Sequence, residues 1–91
     1  MQHPSIIQLR NFKDELNVAI KIIERYSKEF EVEKVKNGVD IYFSDVNEAR
    51  NVISKLKKAF NFEIKSSTKY AGLRKGRVRV LFVFSLRKID Q

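Results

Sequence analysis

The chain has no cysteine and no tryptophan, and only one histidine, one proline and three glycines. Without cysteine there are neither disulfides nor thiolate metal sites, which fits a reducing compartment. The single histidine, His3, lies beside the start of the chain, so it reads as an ordinary terminal residue and leaves acid–base or metal chemistry little to draw on. Gly38, Gly72 and Gly76 form no phosphate-binding fingerprint, and no helix follows the last two. Asp40 and Asp45 are the nearest thing to a carboxylate pair, yet a strand beside a turn and a helix start explain them better. No apolar run approaches the roughly 20 residues of a membrane span. The opening MQHPSIIQ also lacks the basic start and long apolar stretch of a signal peptide. The expectation is a soluble, cytoplasmic protein that is not an enzyme, needs no cofactor or metal, and has no membrane partner.

What is present is a folded core and an uneven charge. A hydrophobic content of 43% with seven Phe and three Tyr in 91 residues supports one domain spanning residues 1–91. The formal net charge is +8. Up to Ser54 eight basic residues face nine acidic ones; from Lys55 onward eleven basic residues face only Glu63 and Asp90. The whole excess therefore lies in the second half, an asymmetry that points to a polyanionic partner.

The stretch from Glu33 to Phe60 organises the fold. Asn37-Gly38 is a strong hairpin signal, because a tight turn favours positive φ at its central positions. Val39, Ile41 and Phe43 then alternate with Asp40, Tyr42 and Ser44, the period of a strand with one buried face. Ser44 or Asp45 caps the next helix, and with Asp45 as the cap Glu48 falls at the third position, as in a capping box. Ala49, Val52, Ile53, Leu56 and Phe60 share one side of that helix, which is expected over Val46 to Phe60.

Ahead of this stretch, Ile7 and Leu9 mark a first strand. A helix beginning at Asn11 or Phe12 follows, with Leu16, Ala19, Ile20, Ile23 and Phe30 on its apolar face and mixed charge on its far side. Behind it, Phe62, Ile64 and Ser66 make a fourth strand, and Ser67 to Gly76 reads as an exposed loop. In the long last strand Val78, Val80, Phe82, Phe84 and Leu86 share one face, so Val80 and Phe82 are expected to be buried against both helices. The fold class is α+β: a two-layer sandwich in the order β-α-β-β-α-β-β, with two helices on one face of a mostly antiparallel sheet. Leu81 and Val83 on the other face are left for the loop, a neighbouring domain or a partner to cover.

Gly-Val-Asp-Ile-Tyr-Phe at 38–43, Glu-Ala-Arg at 48–50 in a helix and Lys-Ser-Ser at 65–67 occur in an order that resembles the central region of the nonsense-mediated decay protein three family. That family is the export adaptor of the large ribosomal subunit, and the resemblance is closest to its archaeal form. It runs from about Val32 to Asp90 and is looser ahead of that. The family's zinc-binding cysteine pairs have no counterpart here, so the chain is read as one excised or free-standing module. The resemblance implies a part in maturation or quality control of the large subunit.

The basic second half supplies the candidate site. Lys55, Lys57 and Lys58 surround the C-terminal end of the second helix, where they also suit the helix dipole. Lys65, Lys69, Arg74, Lys75, Arg77 and Arg79 are interleaved with Ser66, Ser67, Thr68 and Tyr70, which add phosphate donors and a ring for stacking on a base. Tyr42 is expected on the open sheet face, near Lys65 or Arg79. These residues point to an RNA-binding module for ribosomal RNA or the large ribosomal subunit, with ribosomal proteins or adjoining domains of a longer parent as further contacts. The rival is a protein-interaction or oligomerisation module that uses Tyr42, Leu81 and Val83. A DNA-binding reading lacks a recognition helix after a turn.

Overall fold

The computed structural model describes residues 5–74 and 77–89, with 70–74 and 77–79 described by backbone alone. Strand β1 (Ser5–Arg10) leads through a 3-10 turn (Lys13–Glu15) into helix α1 (Leu16–Tyr26). Strands β2 (Phe30–Val35) and β3 (Gly38–Phe43) form a hairpin, helix α2 (Val46–Ala59) follows, and β4 (Phe62–Arg74) and β5 (Arg77–Lys88) close the chain. The expected order β-α-β-β-α-β-β is the observed one, an α+β sandwich with its two helices against a five-stranded sheet.

The sheet order is β2-β3-β1-β5-β4, and only the β1–β5 pairing is parallel. The terminal strand thus inserts between β1 and β4 instead of adding to an edge. On the covered face Ile7, Leu9, Val39, Ile41, Phe43, Phe84 and Leu86 meet Ala19 and Ile23 of α1 and Ala49, Val52, Ile53 and Leu56 of α2. Alternation on the strands and 3.6-residue spacing on the helices place these residues on facing surfaces. The rings of Phe12, Phe60 and Phe62 close one end, with Phe12 and Phe60 edge to face at 5.4 Å.

Three local expectations need adjusting. The β2–β3 turn has Lys36 and Asn37 at its centre, and neither takes a positive φ. Gly38 instead opens β3, where an added Cβ would overlap the carbonyl oxygen of Leu9 on the neighbouring strand. Its role is therefore close approach between strands. Phe30 belongs to β2, its ring 6.0 Å from that of Phe43, and does not extend α1. Asp45 caps α2 as anticipated, accepting from the Asn47 N–H at 2.8 Å, but Glu48 turns away from a capping box and accepts from the Ser27 hydroxyl at 2.6 Å.

The larger correction concerns the hairpin β4–β5. Residues 67 to 74, read as part of a loop, continue β4 and pair with β5 up to Arg74 opposite Arg77, with one irregularity between Tyr70 and Gly72. Pairing along the ladder satisfies the backbone polar groups of both strands, which an open loop leaves to water. The ladder outruns the layer above it. The 14 residues of α2 span roughly 21 Å, whereas the 12 residues of β5 span roughly 40 Å. Val80 lies beyond Phe82, the last β5 residue paired with β1, so it is 38% exposed and not buried as expected. Phe82 is only partly buried, with the Arg50 guanidinium 6.0 Å from its ring centroid. This overhang makes the molecule 47 Å long against 24 and 22 Å across.

Candidate nucleic-acid interface

Register defines the uncovered face strand by strand. Glu31, Tyr42, Ile6, Val83 and Ser67 form one row across the sheet. Glu33, Asp40, Gln8, Ser85 and Lys65 form the next. Carboxylates therefore collect at the β2–β3 side and lysines at the β4 side, where Lys65 and Lys69 are both exposed. A polyanion approaching this face meets attraction along β4 and repulsion along β2.

The apolar middle of the face is less open than alternation alone implies. Val83 is 6% exposed, flanked across the strands by Ile6 and Ser67, and Leu81 is half-buried. Tyr42 is not beside Lys65: three strand spacings, about 14 Å, separate β3 from β4. Its surroundings are acidic. Burial, then the charges of Glu33 and Asp40, push its phenol above its ordinary value, so the hydroxyl stays neutral. A ring in that setting is poorly placed to receive a phosphate-bearing strand.

The candidate basic residues do not form one patch. Lys57 and Lys58 are exposed in the last turn of α2, on the helical layer and beside the start of β4. Lys55 turns inward, its ammonium 5.1 Å from the centroid of the Tyr26 ring, which ties α2 to α1 by a cation–π contact. From Phe62 to Arg74 the strand β4 then runs roughly 40 Å, so the α2 end and the hairpin tip lie at opposite ends of the molecule. Lys65 and Lys69 stand between them. Of the tip residues, Lys75 lies outside the described residues, and Tyr70, Arg74, Arg77 and Arg79 are placed by backbone alone, with Arg74 opposite Arg77 in the ladder.

One group of cations was not anticipated from sequence. Arg10 and Arg87 are partners in the parallel β1–β5 register, at the end away from the tip. Arg10 donates to the carbonyls of Leu9 and Val39 at 3.0 and 3.1 Å and to Asp40 Oδ1 at 2.7 Å. No local pattern marks this pairing, because it joins residues far apart in the chain. Among the described residues no cluster of three or more histidines or carboxylates could hold a metal ion, and no helix is long and apolar enough to cross a membrane.

A family model described as NMD3, second domain, matches residues 2–87. No curated protein matches the chain.

Proposed function

The chain belongs to the NMD3 family, which is tied to export of the large ribosomal subunit, and on that premise we propose that this domain is a non-enzymatic RNA-binding module that docks on the large subunit. Its place of action would be the cytoplasm, in maturation or quality control of that subunit. The observation that carries the reading is the polarised open face: exposed Lys65 and Lys69 lie on the strand that leads to the basic tip, while Glu31, Glu33 and Asp40 occupy the opposite side. Such a surface admits a phosphate backbone along β4 and β5 and turns it away from β2.

The test is a matched charge reversal. Lys65, Lys69 and Arg79 changed to Glu should abolish binding to large-subunit ribosomal RNA, whereas Lys21 and Arg25 of α1 and Lys28 just beyond it, changed to Glu, should do far less. Both sets alter formal charge equally, so equal losses would leave only nonspecific attraction. For the unaltered protein, neutralising about five phosphates should give a slope of log K against log salt of roughly −3.5 to −4.5. A slope near zero would remove the basic ladder as the cause. The rival, a protein-interaction module using Tyr42, Leu81 and Val83, has little apolar area to offer, since Val83 is buried and Leu81 half-buried.

A further inference from the structure

At the end of the sheet opposite the hairpin tip, where parallel strands β1 and β5 finish, there is a cleft of about 580 Å³. Arg10, Lys13 and Arg87 line it together with Asn11, Asn37 and Ser85, and among the described residues no carboxylate does. We propose that this cleft is a phosphate-binding site, taking a phosphate monoester or diester. The site is separate from the hairpin surface and does not depend on RNA binding there.

Three features of the cleft point the same way. The first is the in-register pair Arg10 and Arg87, on adjacent strands and on the same face. Like charges directly opposite each other in a sheet repel, and Asp40 balances only Arg10. Arg87 is exposed, and although Glu63 stands opposite it on β4, no ion pair joins them. An anion between the two guanidinium groups relieves this repulsion.

The second feature is preorganisation. Both Nη1 hydrogens of Arg10 are engaged by the Leu9 and Val39 carbonyls and one Nη2 hydrogen by Asp40, so the fork is held in place with two N–H donors left over. A fixed guanidinium fork suits the tetrahedral oxygens of phosphate better than a mobile point charge. The opposite wall is also anchored: Asn11 Nδ2 donates to the Lys88 carbonyl at 2.9 Å, and Lys88 pairs with Glu15 at 3.2 Å.

The third is the backbone of that wall. Asn11 has φ 65° and Lys13 φ 52°, with Phe12 between them at φ −80°. Alternation of hand in successive residues curls their N–H groups toward one concave side, an arrangement that favours anions. Lysine seldom adopts a positive φ. Here the two left-handed residues are both cleft residues, while the ring between them is buried in the core.

The test is a ¹H–¹⁵N NMR titration of the full 91-residue chain with inorganic phosphate, a nucleoside 5′-monophosphate and dimethyl phosphate, each against chloride at matched ionic strength. Saturable shifts confined to the amides of residues 10–13, 37–38 and 85–87 are expected. Arg87→Ala should weaken them about tenfold or more, the loss expected for a charge-assisted hydrogen bond, and Arg87→Lys should restore binding only in part. The urea midpoint of each variant checks that the fold survives. Tighter binding of inorganic phosphate and the nucleoside monophosphate would assign the cleft to free phosphate or nucleotide, and equal binding of dimethyl phosphate would assign it to a nucleic-acid backbone; both support the site. Shifts matched by chloride, absent from the cleft, or undiminished in Arg87→Ala would overturn it. The Lys65, Lys69, Arg79 triple reversal should retain phosphate binding in the cleft, so failure of the hairpin interface and failure of this site are read separately.

Discussion

Strand β5 offers a test in which one face of one strand passes from core to solvent. Leu86 is fully buried, Phe84 is 8% exposed, Phe82 is partly buried and Val80 is 38% exposed. Leu86→Ala removes three carbon groups worth about 0.8 kcal/mol each in transfer, and the cavity left beneath both helices raises the expected loss to about 3 to 4 kcal/mol. Val80→Ala removes two such groups at a site over a third open to water, so about 1 kcal/mol or less should follow. Phe84→Ala should cost about 3 to 5 kcal/mol, and Phe82→Ala should fall between those extremes, because only part of its ring lies under the helical layer. Urea denaturation at constant m-value provides the measurement, since a changed slope would mean a changed end state. A Val80 loss as large as that of Leu86 would refute the argument, because it would require the helices to cover the whole ladder.

Three further expectations follow from local geometry. Gly38→Ala should cost well over about 1 kcal/mol, since the new Cβ meets the Leu9 carbonyl oxygen, a backbone atom that cannot rotate away; an unchanged urea midpoint would disprove the close approach. Ser27→Ala should cost about 1.5 to 3 kcal/mol, because Ser27 is buried and its hydroxyl donates to the Glu48 carboxylate, and a double mutant with Glu48→Ala that shows no coupling would remove that bond as the cause. The Tyr42 phenol should ionise above its ordinary 10.0. Its folded-state value is raised, so the stability it contributes is complete below about pH 10 and is lost as pH rises through the raised value. An absorbance titration of the protein against Tyr42→Phe, with a midpoint at or below 10, would contradict the burial and the two neighbouring carboxylates.

Much of the fold was legible where the determining interactions are local. The α2 cap at Asp45, the apolar stripe from Ala49 to Leu56 and the alternation of β3 are all set within a few residues, and each appears as expected. The extent of β4 was not legible, because Ser67 to Arg74 has the turn-forming and charged composition of a loop. It becomes a strand through pairing with β5, a partner whose position depends on the whole topology. The same limit applies to Val80: its parity is right for the core, but no helix extends that far along the ladder. Alternation assigns a side of the sheet, not the area that another layer covers. In the candidate site, composition located the charge excess on the second half but gave no indication that Lys57 and Lys58 would be separated from the tip by the length of β4. The pairing of Arg10 with Arg87, and the positive φ of Lys13, depend on tertiary contacts that no sequence window contains.

The distribution of charge also bears on how a long polyanion would lie on this domain. The helical layer covers one face, and α1 carries bases and acids in mixture, so neither gives a phosphate backbone a preferred track. On the open face Glu31 and Glu33 line the β2 edge, with Asp40 beside them on β3 and already engaged by Arg10. Displacement toward β2 thus brings a phosphate toward the carboxylates of Glu31 and Glu33, while displacement toward β4 brings it to Lys65 and Lys69. The favourable direction is along the β4–β5 ladder, whose length exceeds that of the core it belongs to. A ladder paired along its described residues, with one irregularity between Tyr70 and Gly72, resists bending better than an open loop and holds the backbone positions of its bases in register. Cations carried on a paired backbone lose less backbone entropy on binding than those on the loop that composition suggested, which favours a specific contact over diffuse attraction.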